Sequence, residues 1–190
     1  MEEKIQIVAF STNKEHNNPN DIINIYLEQN NHLILKKNKN AIAFSTTISN
    51  SQKNKKIMVC SVLNLEREYT GITDVNCYLI FIDLENEESK DKFESIISYF
   101  KDYCDLGKKT FVFGMVEGNE KKNIVFDKND FSKSLDNLDI TYDYKEINFS
   151  NKKQISDYMK EVFIYSSKHS FSGSTVDDKE ADQSGSCKIF

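Results

Sequence analysis

The 190-residue chain has no tryptophan, one proline and six glycines, the first of them Gly71. A loop that cradles phosphate with its backbone N–H groups needs glycines to let the chain approach the anion, so nothing before Gly71 supplies such a loop in its usual form. Histidine is scarce. The three, at 16, 32 and 169, fall in polar stretches away from any Cys or acid cluster with metal spacing, and read as solvated residues rather than ligands. The four cysteines, at 60, 77, 104 and 187, contain no CxxC spacing. Cys60 and Cys77 sit in apolar runs, which points to buried reduced thiols in a cytoplasmic protein rather than a disulfide framework. Asp102 and Asp105 flank Cys104 and are expected to raise its pKa, which argues against a nucleophile. No apolar run is long enough to span a bilayer, and Met1-Glu2-Glu3-Lys4 lacks signal-peptide character. With 25 Lys and Arg against 30 Asp and Glu the formal net charge is −5, which excludes a general nucleic-acid binder, since phosphate contacts need a basic surface.

Two features stand against these absences. The chain ends in Cys187-Lys188-Ile189-Phe190, a prenylation box whose terminal Phe favours geranylgeranyl over farnesyl. Lys188 occupies a position that is usually aliphatic, and the competing reading is a chance cysteine in a disordered tail. Residues 166–186 are serine-rich and acidic, with almost nothing to bury, and read as a flexible tether. One prenyl chain gives limited affinity, and this tail has no second cysteine and no polybasic run. Reversible association with the cytosolic face of a membrane is therefore expected, helped by a partner or a soluble prenyl-binding carrier. The Asn- and Lys-rich runs, such as Lys36-Lys37-Asn38-Lys39-Asn40, read as loops.

Hydrophobic periodicity divides residues 1–165 into alternating elements. Short apolar runs at 5–10, 41–48, 56–63, 77–82, 110–115 and 140–147 predict six strands, the second and third joined as a hairpin. Amphipathic spacing predicts helices over 21–29, with Asn18-Pro19 as its cap and first turn, 86–103, 129–135 and 152–165. Strands alternating with helices describe an α/β domain, a mostly parallel six-stranded sheet covered on both faces.

That order, closed by a lipid box, resembles a Rab- or Ras-like small GTPase, whose fold is of the P-loop NTPase type. The segment NCYLIFIDLENEES (76–89) resembles the central strand of Rab proteins and the turn opening the next helix. SVLNLEREY (61–69) falls where those proteins carry a switch motif, with Glu66, Arg67 and Tyr69 matching. The resemblance also implies where a nucleotide site would lie, and there the motifs are degenerate. An ungapped alignment from Lys4 puts Ala9, Lys14, Glu15 and His16 where two glycines, the phosphate lysine and the magnesium hydroxyl belong. Alignment on the helix puts Pro19 at the lysine instead. Ser61 replaces the magnesium aspartate and Asn64 the switch glycine. Met115-Val116-Glu117-Gly118 stands for the base-reading motif, with Glu117 the nearest imitation of its aspartate, and Asn148, Phe149 and Ser150 stand for the last guanine contact. The resemblance thus implies a pseudoGTPase with no catalytic residues, cofactor or metal, anchored through Cys187 and recruiting effector or trafficking proteins on residues 39–48 and 63–74. The alternative is a divergent GTPase that binds GTP or GDP with Mg through Lys14 and Glu117. A third reading is an unrelated flavodoxin-like domain.

Overall fold

A computed structural model of the chain describes residues 3–13, 18–30, 32–47, 54–62, 65, 74–118 and 124–169. Its elements follow the order β1 (Glu3–Ser11), α1 (Pro19–Asn30), β2 (Ile34–Asn38), β3 (Ala41–Thr47), β4 (Asn54–Ser61), β5 (Cys77–Asp83), α2 (Ser89–Tyr103), β6 (Thr110–Val116), α3 (Lys128–Asn137), β7 (Tyr142–Asn148) and α4 (Lys152–Lys168). One seven-stranded sheet runs β2-β3-β4-β1-β5-β6-β7. β1 pairs in parallel with both β4 and β5, and β5–β6 and β6–β7 are parallel too. β2–β3 and β3–β4 are antiparallel, the second being the expected hairpin.

The central strands form because their sequences are apolar on both faces. Cys77 to Ile82 and Thr110 to Met115 are buried throughout, as a parallel strand covered by helices on both sides requires. One core lies under α1 and α4 and gathers Ile22, Ile23, Tyr26, Phe44, Met159 and Phe163. The other lies under α2 and α3 around Phe10, Tyr78, Phe93, Phe100 and Phe131. With no tryptophan available, phenylalanine supplies the bulk. Phe163 meets Tyr26 edge-on at 4.7 Å and Phe44 at 5.3 Å, and each such pair contributes about 0.5–1.5 kcal/mol beyond the area it buries.

Three of the helices start at a side-chain cap. Asn18 Oδ1 accepts from Asn20 N–H at 2.9 Å and fixes α1 behind Pro19. Asp127 and Asp130 form a reciprocal capping box on α3, and Asn151 Oδ1 accepts from Gln154 N–H at the start of α4, satisfying N–H groups that a helix cannot pair internally.

The sheet has seven strands rather than six. The extra one is β2, whose sequence ILKKN carries too little apolar pattern to announce a strand. The exposed edge of β3 supplies the hydrogen-bonding partner that its own residues do not demand. α4 also runs past 165, through Lys168. Ser166 and Ser167, whose serine-rich context reads as linker, are buried there: Ser166 Oγ donates to Val162 C=O at 2.9 Å and lies 3.1 Å from Cys77 Sγ. His32 differs from its expectation as a solvated residue. Its Nε2 lies 3.1 Å from Tyr26 Oη and 3.3 Å from Thr46 Oγ1, and its ring stacks on Phe44. Among the described residues no helix is long and apolar enough to cross a membrane.

Candidate functional site

In an open α/β sheet, ligands bind outside the carboxyl ends of the strands where the chain changes direction. Here that point lies beside β1, which has β4 on one side and β5 on the other. Ala9 lies two residues inside the end of β1. It is fully buried and paired with Ser61 and Leu79, so it belongs to the core and not to a loop. Lys14, Glu15, His16, Asn64 and Cys187 lie outside the described residues.

If the resemblance to small GTPases held, alignment on α1 would put Pro19 at the phosphate lysine, Asn20 at the magnesium hydroxyl and Ser61 at the magnesium aspartate. The side chains of Asn20 and Ser61 meet. Ser61 Oγ donates to Asn20 Oδ1 at 2.8 Å, with the residues 1% and 7% exposed. Asn20 Nδ2 donates in turn to Lys39 C=O at 2.8 Å, and Ser61 N–H donates to Asn40 C=O at 2.7 Å. Neutral partners thus satisfy each other at a place where a divalent cation would need anionic oxygen. These two residues do not fit a magnesium ion. Among the described residues no group of three or more His, Cys, Asp or Glu is arranged to hold a metal.

The neighbouring crevice between β1 and β5 is stitched in the same way. Thr12 N–H donates to Phe81 C=O at 3.0 Å, and Asp83 N–H donates to Thr12 Oγ1 at 2.9 Å. Thr12 Oγ1 also lies 2.9 Å from Ser89 Oγ. Asn13 Nδ2 donates to the Asp83 carboxylate at 2.7 Å. Sequence reading missed Thr12, Asn13, Asn20 and Asp83. The only signal for Asn20 was its place directly after Pro19.

On the other side of β5 lies a cleft of about 640 Å³. Its floor is Met115, Val116 and Phe149, and its walls carry Asp83, Glu85, Glu87, Glu88 and Glu117. The structure therefore brings two of the predicted positions, Glu117 and Phe149, together. Lys92 pairs with Glu88 at 2.8 Å and holds that carboxyl below its ordinary range. Five carboxylates around one opening would repel a phosphate chain.

Two backbone donors near the cleft are already engaged. Glu117 N–H donates to the Glu85 carboxylate at 2.5 Å, and Phe149 N–H to Val116 C=O at 2.9 Å. Asn148 Nδ2 donates to Gly118 C=O at 2.7 Å, while its Oδ1 accepts from Ser150 N–H at 2.9 Å. Gly118 has φ +83°, a left-handed conformation that favours glycine.

Burial pushes the thiols of Cys77 and Cys104 up to about 12. For Cys104 the direction matches the expectation, but desolvation is the cause rather than the flanking acids. Ala41, Ile42, Ala43, Phe44 and Thr46, expected on a partner surface, are buried in β3. Within 39–48, the described side chains open to solvent are at the Lys39–Asn40 turn and, partly, Ser45; of 63–74, only Leu65 and Asp74 are described.

No protein-family model matches this chain, and no curated protein matches it.

Proposed function

We propose that this chain is a Rab- or Ras-like pseudoGTPase: a P-loop-type α/β domain that has exchanged nucleotide switching for protein interaction, tethered to the cytosolic face of a membrane by a prenyl group on Cys187. The observation that supports the reading is the buried Asn20–Ser61 hydrogen bond, because two neutral, mutually satisfied side chains offer a magnesium ion no anionic oxygen. The carboxylate-lined cleft and the engaged backbone donors beside it favour the same reading. Effector or trafficking proteins would dock at the carboxyl end of the sheet, on the Lys39–Asn40 turn beside Asn20 and on residues 63–74. The chain would act in vesicle traffic or signalling as a recruiter and not as an enzyme.

The test is to purify the full chain with magnesium, denature it, and run the supernatant on ion-exchange chromatography for GDP or GTP, with titration of a fluorescent guanine nucleotide alongside. Absence of both signals is expected. Near-stoichiometric nucleotide would instead establish a divergent switch. The lipid arm is tested by Cys187→Ser in cells, which should move the protein to the soluble fraction; unchanged membrane recovery would sink that arm.

A further inference from the structure

Large apolar side chains left in water are few among the described residues, and three of them are consecutive. Leu33 is 71% exposed, Ile34 42% and Leu35 45%, where the chain enters the edge strand β2. A bare apolar edge is a liability that proteins ordinarily blunt. From this edge a row runs across the sheet. Ser45 N–H donates to Leu33 C=O at 3.4 Å, Ser45 pairs with Lys56 in β4, and Lys56 pairs with Lys4 in β1.

The lysines share one face. Ile57 in β4 and Ile5 in β1 pack into the core under α1 and α4, so the adjacent Lys56 and Lys4 point to the opposite side, as strand alternation requires. Lys36 pairs with Ala43, whose neighbours Ile42 and Phe44 also belong to that core, and it joins the same side. No side-chain hydrogen bond or ion pair of Lys4, Lys36 or Lys56 is formed among the described residues. Like charges on directly paired positions are unfavourable, and nothing described neutralises Lys4 beside Lys56.

The end of α4 is pinned at this same end of the sheet. Lys55 Nζ donates to Ser167 C=O at 3.0 Å, and Asn76 Nδ2 donates to His169 C=O at 3.3 Å. α4 therefore ends at the same end of the strands as Lys4 and Lys56, on the opposite face of the sheet. The carboxylates of the cleft stand at the other end of the strands.

Ile34 pairs with Phe44 and so leans to the opposite face of the edge. Resting on the lipid-anchored reading, we infer that Leu33 and Leu35 with Lys4, Lys36 and Lys56 form a contact surface for anionic membrane lipid, the second signal that a single prenyl chain requires. Apolar side chains at the edge enter the interfacial region, and the lysine stems lie along it with their ammonium groups at the headgroups. The cleft and the Lys39–Asn40 turn then face away from the membrane toward partners.

The experiment uses the full-length Cys187→Ser protein, which carries no lipid, sedimented with vesicles of phosphatidylcholine alone or mixed with phosphatidylserine. Binding is expected only to the mixed vesicles and should weaken as salt rises. Each lysine near an anionic surface is worth roughly fivefold in partitioning, so Lys36→Glu with Lys56→Glu should lower binding by at least about 25-fold. Leu33→Ser with Leu35→Ser should lower it at every salt concentration. Charge reversal of the exposed pair Lys90 and Lys101 on α2 is the control and should leave most of the binding, with circular dichroism verifying the fold of each variant. Equal binding to both vesicle types, absence of binding to either, or equal loss in the control pair would overturn the inference. Because no prenyl group or nucleotide takes part, such a failure would leave the prenylation and pseudoGTPase readings standing, and their failure would leave this result intact.

Discussion

Replacing Asn20 with alanine tests whether the Asn20–Ser61 position is held together by its own side chains. The substitution deletes the buried hydrogen bond from Ser61 Oγ and the part-buried one to Lys39 C=O, and leaves the buried Ser61 hydroxyl without this partner. A neutral hydrogen bond contributes about 0.5–1.5 kcal/mol net, and a stranded buried polar group costs about 1–3 kcal/mol, so Asn20→Ala should destabilise by about 2–4 kcal/mol. For a domain of this size that is roughly 5–12 °C in Tm. Ser61→Ala breaks only the shared bond and should cost about 1–2 kcal/mol. The double variant should cost less than the two singles added, by about 1 kcal/mol, because the shared bond is lost once. Urea denaturation of the four proteins measures the cycle. In parallel, Mg²⁺ with GDP or GTP should leave the wild-type melt unmoved, whereas a ligand at a hundred times its Kd would add about 2.7 kcal/mol. An Asn20→Ala protein as stable as wild type, or a Mg²⁺-dependent rise in wild-type stability, would refute the reasoning.

Two further outcomes follow from packing and titration. A Cβ at Gly114 would lie 2.5 Å from Tyr144 Oη and 2.8 Å from Leu84 Cδ1, so Gly114→Ala should cost about 1–3 kcal/mol by overpacking. Adding Tyr144→Phe, which removes the nearer atom, should recover part of that loss in the urea midpoint; no loss in the single variant would contradict the packing. Burial lowers the pKa of His32 below its ordinary 6.5, so the unfolded chain takes up its proton more readily than the folded one. Its contribution to stability is full above the ordinary value and is lost as pH falls below it. Urea midpoints compared at about pH 7.5 and pH 5.5 should therefore drop more for wild type than for His32→Gln; equal drops would show that His32 is not the group concerned.

Much of the architecture was legible because burial on two sides leaves a plain mark. The runs CYLIFI and TFVFGM have no polar position to show to water, so they had to be β5 and β6. Asn18-Pro19 set the start of α1 because an N-cap followed by a first-turn proline has few other uses. β2 was illegible for the opposite reason: both its faces are largely open, so no periodicity records it. The candidate site was legible only in part. The places of Ser61, Glu117 and Phe149 at or just after the ends of β4, β6 and β7 could be read from sequence order. That Ser61 is satisfied by Asn20, which is 41 positions away, could not, since a hydrogen bond between distant segments leaves no local pattern.

By itself the sequence determined an α/β domain of alternating strands and helices, a tail ending in a cysteine box, and the lack of glycine where a phosphate cradle would need it, because period, composition and spacing are local properties of the chain. Only the tertiary structure decided that β2 extends the sheet, that neutral side chains close the Asn20–Ser61 position, and that Lys4, Lys36 and Lys56 share a face with the exposed edge. Each depends on strand register and crossover, which bring residues far apart in sequence to within a few ångströms.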